Sequence, residues 1–81
     1  MNIEEILQKA TIKLKDNNIE EARSKARRLL AFTLEMSKEQ IIIHNKKEIT
    51  IEQEISYNEY ISRIILGEPI QYIIGGQEFM G

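Results

Sequence analysis

The chain has no cysteine and no tryptophan, and it has a single proline and a single histidine among its 81 residues. Without cysteine there is no disulfide framework and no thiolate metal site, a pattern that suits a reducing cytosol. The lone His44 has no cysteine and no cluster of acids near it in the sequence. It cannot assemble a zinc site or a nucleophilic triad from these residues, so it reads as a structural or helix-capping residue. No apolar run is long enough to span a bilayer. The N-terminus, Met1-Asn2-Ile3-Glu4-Glu5, is acidic where a secretory signal is basic. A cytoplasmic location with no membrane partner is therefore expected. No glycine-rich loop follows a strand pattern, so these residues offer no phosphate or dinucleotide cradle and hold no cofactor.

What is present is helical patterning. Sixteen isoleucines among many Lys, Glu and Asn inflate the apparent strand propensity, so periodicity decides instead. Asn2 caps a first helix, with Glu5 three positions on, and Ile3, Ile6, Leu7, Ala10 and Leu14 form one apolar stripe. Asp16-Asn17-Asn18 ends it. A second helix runs from about Glu20 to Glu35, with Ile19, Ala22, Ala26, Leu29, Leu30, Thr33 and Leu34 on its buried side. Ser37-x-x-Gln40 is a capping box that opens a short third helix through Ile41-Ile42-Ile43-His44. Thr50-x-x-Gln53 opens a fourth, reaching Leu66, with Ile51, Ile55, Tyr57, Ile61, Ile64 and Ile65 mostly inward and Tyr60 on the rim. Tyr57, Tyr60 and Tyr72 read as core residues whose hydroxyls reach water. Gly67 closes the fourth helix, and Pro69 suits the first turn of a fifth, ending at Ile74. Gly75-Gly76 breaks it, and Gln77-Glu78-Phe79-Met80 reads as an extended exit. The expected fold is all-α: a small bundle of four helices plus a short fifth, with a C-terminal extended segment leading toward a domain outside the chain. A single domain of this size buries only about 60–65% of its unfolded surface, so modest stability is expected.

Charge is divided along the chain. The net value is −2, yet residues 1–47 carry ten Lys/Arg against seven acids, and residues 48–81 carry one Arg against six acids. Arg23, Lys25, Arg27 and Arg28 cluster on the second helix. They read either as a solvated helix face, as a surface for a protein partner, or as a phosphate-binding patch. The acidic overall balance argues against direct nucleic-acid contact.

The C-terminal stretch Gly67-Glu68-Pro69-Ile70-x-Tyr72-Ile73-x-Gly75, followed by Glu78-Phe79 and Gly81, resembles the end of the N-terminal domain of the HemK/PrmC family, the release factor glutamine methyltransferases. The run Ala22-Arg23-x-x-Ala26-x-x-Leu29-Leu30-Ala31-x-x-Leu34, then Ser37, is similar to the same family, so the resemblance covers roughly residues 20 to 81. It implies a substrate-binding helical domain over residues 1–75. Residues 76–81 would begin a linker or hairpin to a Rossmann-like methyltransferase domain. That domain would hold S-adenosylmethionine and an Asn-Pro-Pro-Tyr motif, which is absent here, and would methylate the Gly-Gly-Gln glutamine of a peptide chain release factor. The partners implied are the release factor and the chain's own C-terminal catalytic domain. Arg23, Lys25, Arg27 and Arg28 are the candidate partner-binding surface, and Ile73, Ile74 and Phe79 the candidate interdomain contact. Catalytic, cofactor and metal residues are expected to be none. Gly75-Gly76-Gln77 matches the release factors' own tripeptide and reads as coincidence. Two other readings stand beside this one: a free-standing helical protein-interaction module, and a helix-turn-helix DNA binder.

Overall fold

The computed structural model describes residues 1–75, which form α1 (Ile3–Asp16), α2 (Ala22–Leu34), α3 (Lys38–Ile43), α4 (Ile51–Ile65) and α5 (Ile70–Ile74). Capping chemistry sets three of the starts. The side chains of Asn2, Ser37 and Thr50 accept the backbone N–H of Glu5, Gln40 and Gln53 at 2.9, 3.1 and 3.0 Å. Each of those three partners accepts the cap residue's own N–H in return at 2.9 Å. Two of the four orphan donors of each helix start are satisfied this way.

The helix ends share a second device. Asn18, Glu35 and Gly67 take left-handed backbones with φ of 59°, 55° and 102°. The next residue's N–H then bonds a carbonyl five positions back: Ile19 to Leu14, Met36 to Ala31 and Glu68 to Arg63, each at 3.0 Å. Glycine usually fills that position, and Gly67 was expected to. Asn18 and Glu35 do so here without it. A further left-handed residue, Glu21, precedes α2, so that helix begins at Ala22 and lacks a side-chain cap.

α2 is the hub. It packs against α1, α3, α4 and α5. The α1 stripe of Ile3, Ile6, Leu7, Ala10 and Leu14 is buried as expected, and Ala22, Ala26, Leu29 and Leu30 meet it from α2. From α4 come Tyr57, Ile61 and Ile64, and from α5 come Ile70, Ile73 and Ile74. Tyr57 is fully buried, and its hydroxyl donates to the Ala26 carbonyl at 2.9 Å rather than reaching water. Tyr60 sits at the rim, its ring tilted against Phe32 with centroids 5.8 Å apart.

Three expectations are corrected. Ile51 and Ile55 are 77% and 61% exposed, and Tyr72 is 75% exposed. The reason on α4 is angular. Each isoleucine precedes a buried residue, Tyr57 or Ile61, by six positions, which turns it about 120° off the core direction. On α5, the neighbours Ile70, Ile73 and Ile74 already fill the side that meets α2, which leaves Tyr72 outward. The extended exit and linker expected over residues 76–81 lie outside the described residues.

The loop between α3 and α4 clamps the N-terminus. The N–H of Ile3 donates to the Lys47 carbonyl at 3.0 Å, that of Glu4 to Asn45 at 2.9 Å, and that of Ile49 to Met1 at 3.1 Å. The Met1 ammonium donates to Glu48 Oε1 at 3.0 Å. That hydrogen bond and the charge of Glu48 hold the amine above its ordinary value of 8.0. A raised amine favours the folded state most fully below its unfolded value, and the contribution fades as pH rises through the raised one. The urea midpoint is therefore expected to decline as pH rises through and above about 8, and Glu48→Gln is expected to flatten that decline. Equal slopes for both proteins would show the clamp to be electrostatically silent.

Candidate functional site

The four basic residues do not form one surface. At about 100° per residue, Arg23 and Arg27 share one side of α2, while Lys25 and Arg28 lie on another. Arg23 and Arg27 line a groove of about 340 Å³ between α1, α2 and α3. Its floor is Ile3, Leu7 and Ile41, all buried in the core. Glu4 and Gln8 of α1 and Ile42 and Asn45 of the α3 side complete the walls.

The charges in this groove are unevenly matched. Glu4 Oε2 accepts from Asn45 Nδ2 at 3.1 Å and pairs with Lys46 Nζ at 3.0 Å. Its carboxylate is thereby balanced locally. Among the described residues, neither Arg23 nor Arg27 makes an ion pair. The Arg27 Nε is buried and has no hydrogen-bond partner. A buried donor left unpaired costs about 1–3 kcal/mol.

A second groove, of about 420 Å³, lies between α2 and α4. Phe32 and Tyr60 supply its apolar wall, and Glu35 and Glu52 its charge. Two grooves of opposite charge thus flank α2. Sequence reasoning missed the acidic one, whose signal was the aromatic Phe32 on the helix side away from Arg23 and Arg27.

The Gly67-Glu68-Pro69-Ile70 block is a corner piece. Gly67 closes α4, Pro69 precedes α5 with an extended backbone, and Ile70 is buried. Arg63 Nε donates to Glu68 Oε1 at 3.0 Å, and its Nη2 pairs with Glu68 Oε2. This two-pronged fork locks the turn from α4 to α5. Ile73 and Ile74, candidates for an interdomain contact, are buried in the domain's own core; Phe79 lies outside the described residues. His44 is exposed at the end of α3, and its N–H caps that helix by donating to Gln40 at 2.8 Å. Among the described residues, no group of three or more His, Cys, Asp and Glu is placed to hold a metal. No helix among them is long and apolar enough to cross a membrane. α3, the helix a helix-turn-helix reading would place in a DNA groove, is six residues long and turns Ile42 and Ile43 outward. Those side chains carry no hydrogen-bonding groups for base edges.

The fold is a small all-α domain built around one hub helix, with two grooves flanking that helix. The model of the PrmC N-terminal domain family matches residues 5–75, and the chain belongs to that family. The release factor glutamine methyltransferase of Buchnera aphidicola subsp. Schizaphis graminum is 40% identical over 79 residues, which covers 98% of this chain and 28% of that protein. The protein of the same name from Bacillus anthracis is 33% identical over 81 residues, covering 100% and 28%. That from Koribacter versatilis is 39% identical over 59 residues, covering 73% and 21%. The chain therefore spans between about a fifth and little more than a quarter of the length of these relatives. No solved structure matches it.

Proposed function

We propose that this chain is the N-terminal, substrate-binding domain of a cytoplasmic protein-glutamine methyltransferase that modifies the Gly-Gly-Gln glutamine of a peptide chain release factor. The family match over residues 5–75 carries this reading. The names and greater length of the relatives support it. Residues 1–75 form the binding domain, and residues 76–81 lead into the linker toward the catalytic domain.

The division of labour follows from chemistry. A side-chain amide nitrogen is a weak nucleophile, so much of the rate must come from holding it in line with the methyl donor. S-adenosylmethionine supplies the methyl group and is bound by the catalytic domain. The helical domain contributes contacts remote from the reacting atoms, which lower the concentration of release factor needed and fix its approach. No group described here takes part in the methyl transfer itself.

The test is steady-state methylation of a purified release factor by the longer protein with and without residues 1–75, read by mass spectrometry of the target glutamine. Removing the helical domain is expected to raise KM for the release factor by about tenfold or more while kcat falls less. An unchanged KM would sink the substrate-binding role, and absence of methylation by the intact protein would sink the activity.

A further inference from the structure

We infer that the groove between α1, α2 and α3 is the seat for an acidic segment of the release factor, one that carries a carboxylate beside an aliphatic residue. This rests on the substrate-binding reading above and narrows it to one face of the domain.

Three observations converge. Arg23 and Arg27 stand one helical turn apart on the same wall, so their guanidinium groups reach into a common space. Each presents a planar fork suited to a carboxylate, and neither is paired within the described residues. Among the described residues the one carboxylate lining the groove, Glu4, is held by Lys46 and Asn45, so it leaves the arginine charges unanswered.

The apolar half of the seat is Ile42. It is 59% exposed at the lip of the groove, directly after the buried Ile41 in the floor. A partner side chain laid on Ile42 gains burial while its acidic neighbour reaches the arginines. The α2–α4 groove, with Glu35 and Glu52, has the wrong sign for such a segment.

Binding of the full chain to a purified release factor, followed by isothermal titration calorimetry, tests this. Arg23→Ala/Arg27→Ala is expected to weaken binding by about tenfold or more, because it removes two charge-assisted donors. Lys25→Ala/Arg28→Ala removes equal charge from another side of α2 and is expected to change it less than about twofold. Ile42→Glu, at an exposed position compatible with folding, is expected to weaken binding as strongly as the double arginine variant. Raised salt should narrow the gap between the unaltered chain and the arginine variant. Circular dichroism and the urea midpoint confirm that each variant is folded. If both Arg23→Ala/Arg27→Ala and Ile42→Glu bind like the unaltered chain, the groove is not the seat, while the substrate-binding reading survives. If the unaltered chain does not bind the release factor, both fall together.

Discussion

Replacing Tyr57 by alanine is expected to destabilise the domain by about 3–5 kcal/mol, the range for deleting a large ring from a packed core. Total stability at about 0.05–0.15 kcal/mol per residue comes to roughly 4–12 kcal/mol for a chain of this length, so the variant should lose a quarter or more of it. Tyr57 is fully buried where α4 meets α2, and its hydroxyl is bonded to the Ala26 carbonyl. Removing the ring opens a void between these two helices. Tyr57→Phe separates the ring from its hydroxyl and should cost only about 1 kcal/mol, the net value of one hydrogen bond. Tyr72→Ala serves as the contrast. It deletes the same side chain at an exposed position and should fall within about 0.5 kcal/mol of the parent. Urea denaturation of the three variants checks the order. Burial also pushes the Tyr57 hydroxyl far above its ordinary value of 10.0. A raised acid contributes stability below its unfolded value and loses it as pH rises through the folded one. The alkaline limb of the stability profile should therefore steepen above about pH 10 in the parent and be shallower in Tyr57→Phe.

Tyr57 and Tyr72 also show where sequence reasoning reached its limit. Both are tyrosines at helical spacing, and composition alone treats them alike. Their fates differ because a helix of five residues offers few positions toward its neighbour, and on α5 the isoleucines occupy them. The same holds on α4. In a chain so rich in isoleucine, an apolar residue is no guide to the core unless its angle about the axis is tracked, and Ile51 and Ile55 fall on the wrong side of that arc. The starts of α1, α3 and α4 were legible because capping boxes are local chemistry, with donor and acceptor three residues apart. The α1 stripe was legible for the same reason.

Long-range and backbone features were not legible. Glu21 and Glu35 adopt left-handed backbones that nothing in their side chains announces, whereas Asn18 is of a type that tolerates that region. The clamp of Met1 to Glu4 by the α3–α4 loop joins residues more than forty positions apart. The candidate site was half legible. Four basic residues on one helix were visible as a cluster, but only helical geometry divides them into the pair in the groove and the pair outside it. The partner residues that give the groove its meaning, Glu4 and Ile42, come from two other helices. What the family resemblance read as a motif, Gly67 to Ile70, proves to be a structural corner. Its information is about how α5 returns to α2, and it reaches any binding function only through that geometry.

The second large effect is expected at Ile41, where stability and the candidate site meet. Of the three consecutive isoleucines of α3, only Ile41 is buried, at 1% exposure, while Ile42 and Ile43 face outward. α3 has six residues, far short of the length at which a helix holds itself together in water, so its fold depends on this one anchor and on the Ser37–Gln40 cap. Ile41→Ala should cost about 2–5 kcal/mol by the combined loss of burial and the void left behind. Ile43→Ala, one turn edge away and solvent-facing, should cost less than about 0.5 kcal/mol. The distinguishing consequence is local. With its anchor gone, α3 and the loop to Asn45 lose the wall that presents Ile42 opposite Arg23 and Arg27. Amide hydrogen exchange is expected to show protection lost first across residues 38–45 in Ile41→Ala, and across no helix in Ile43→Ala. Uniform loss over all five helices would mean that α3 unfolds only with the whole domain. The groove wall would then be as rigid as the core beneath it.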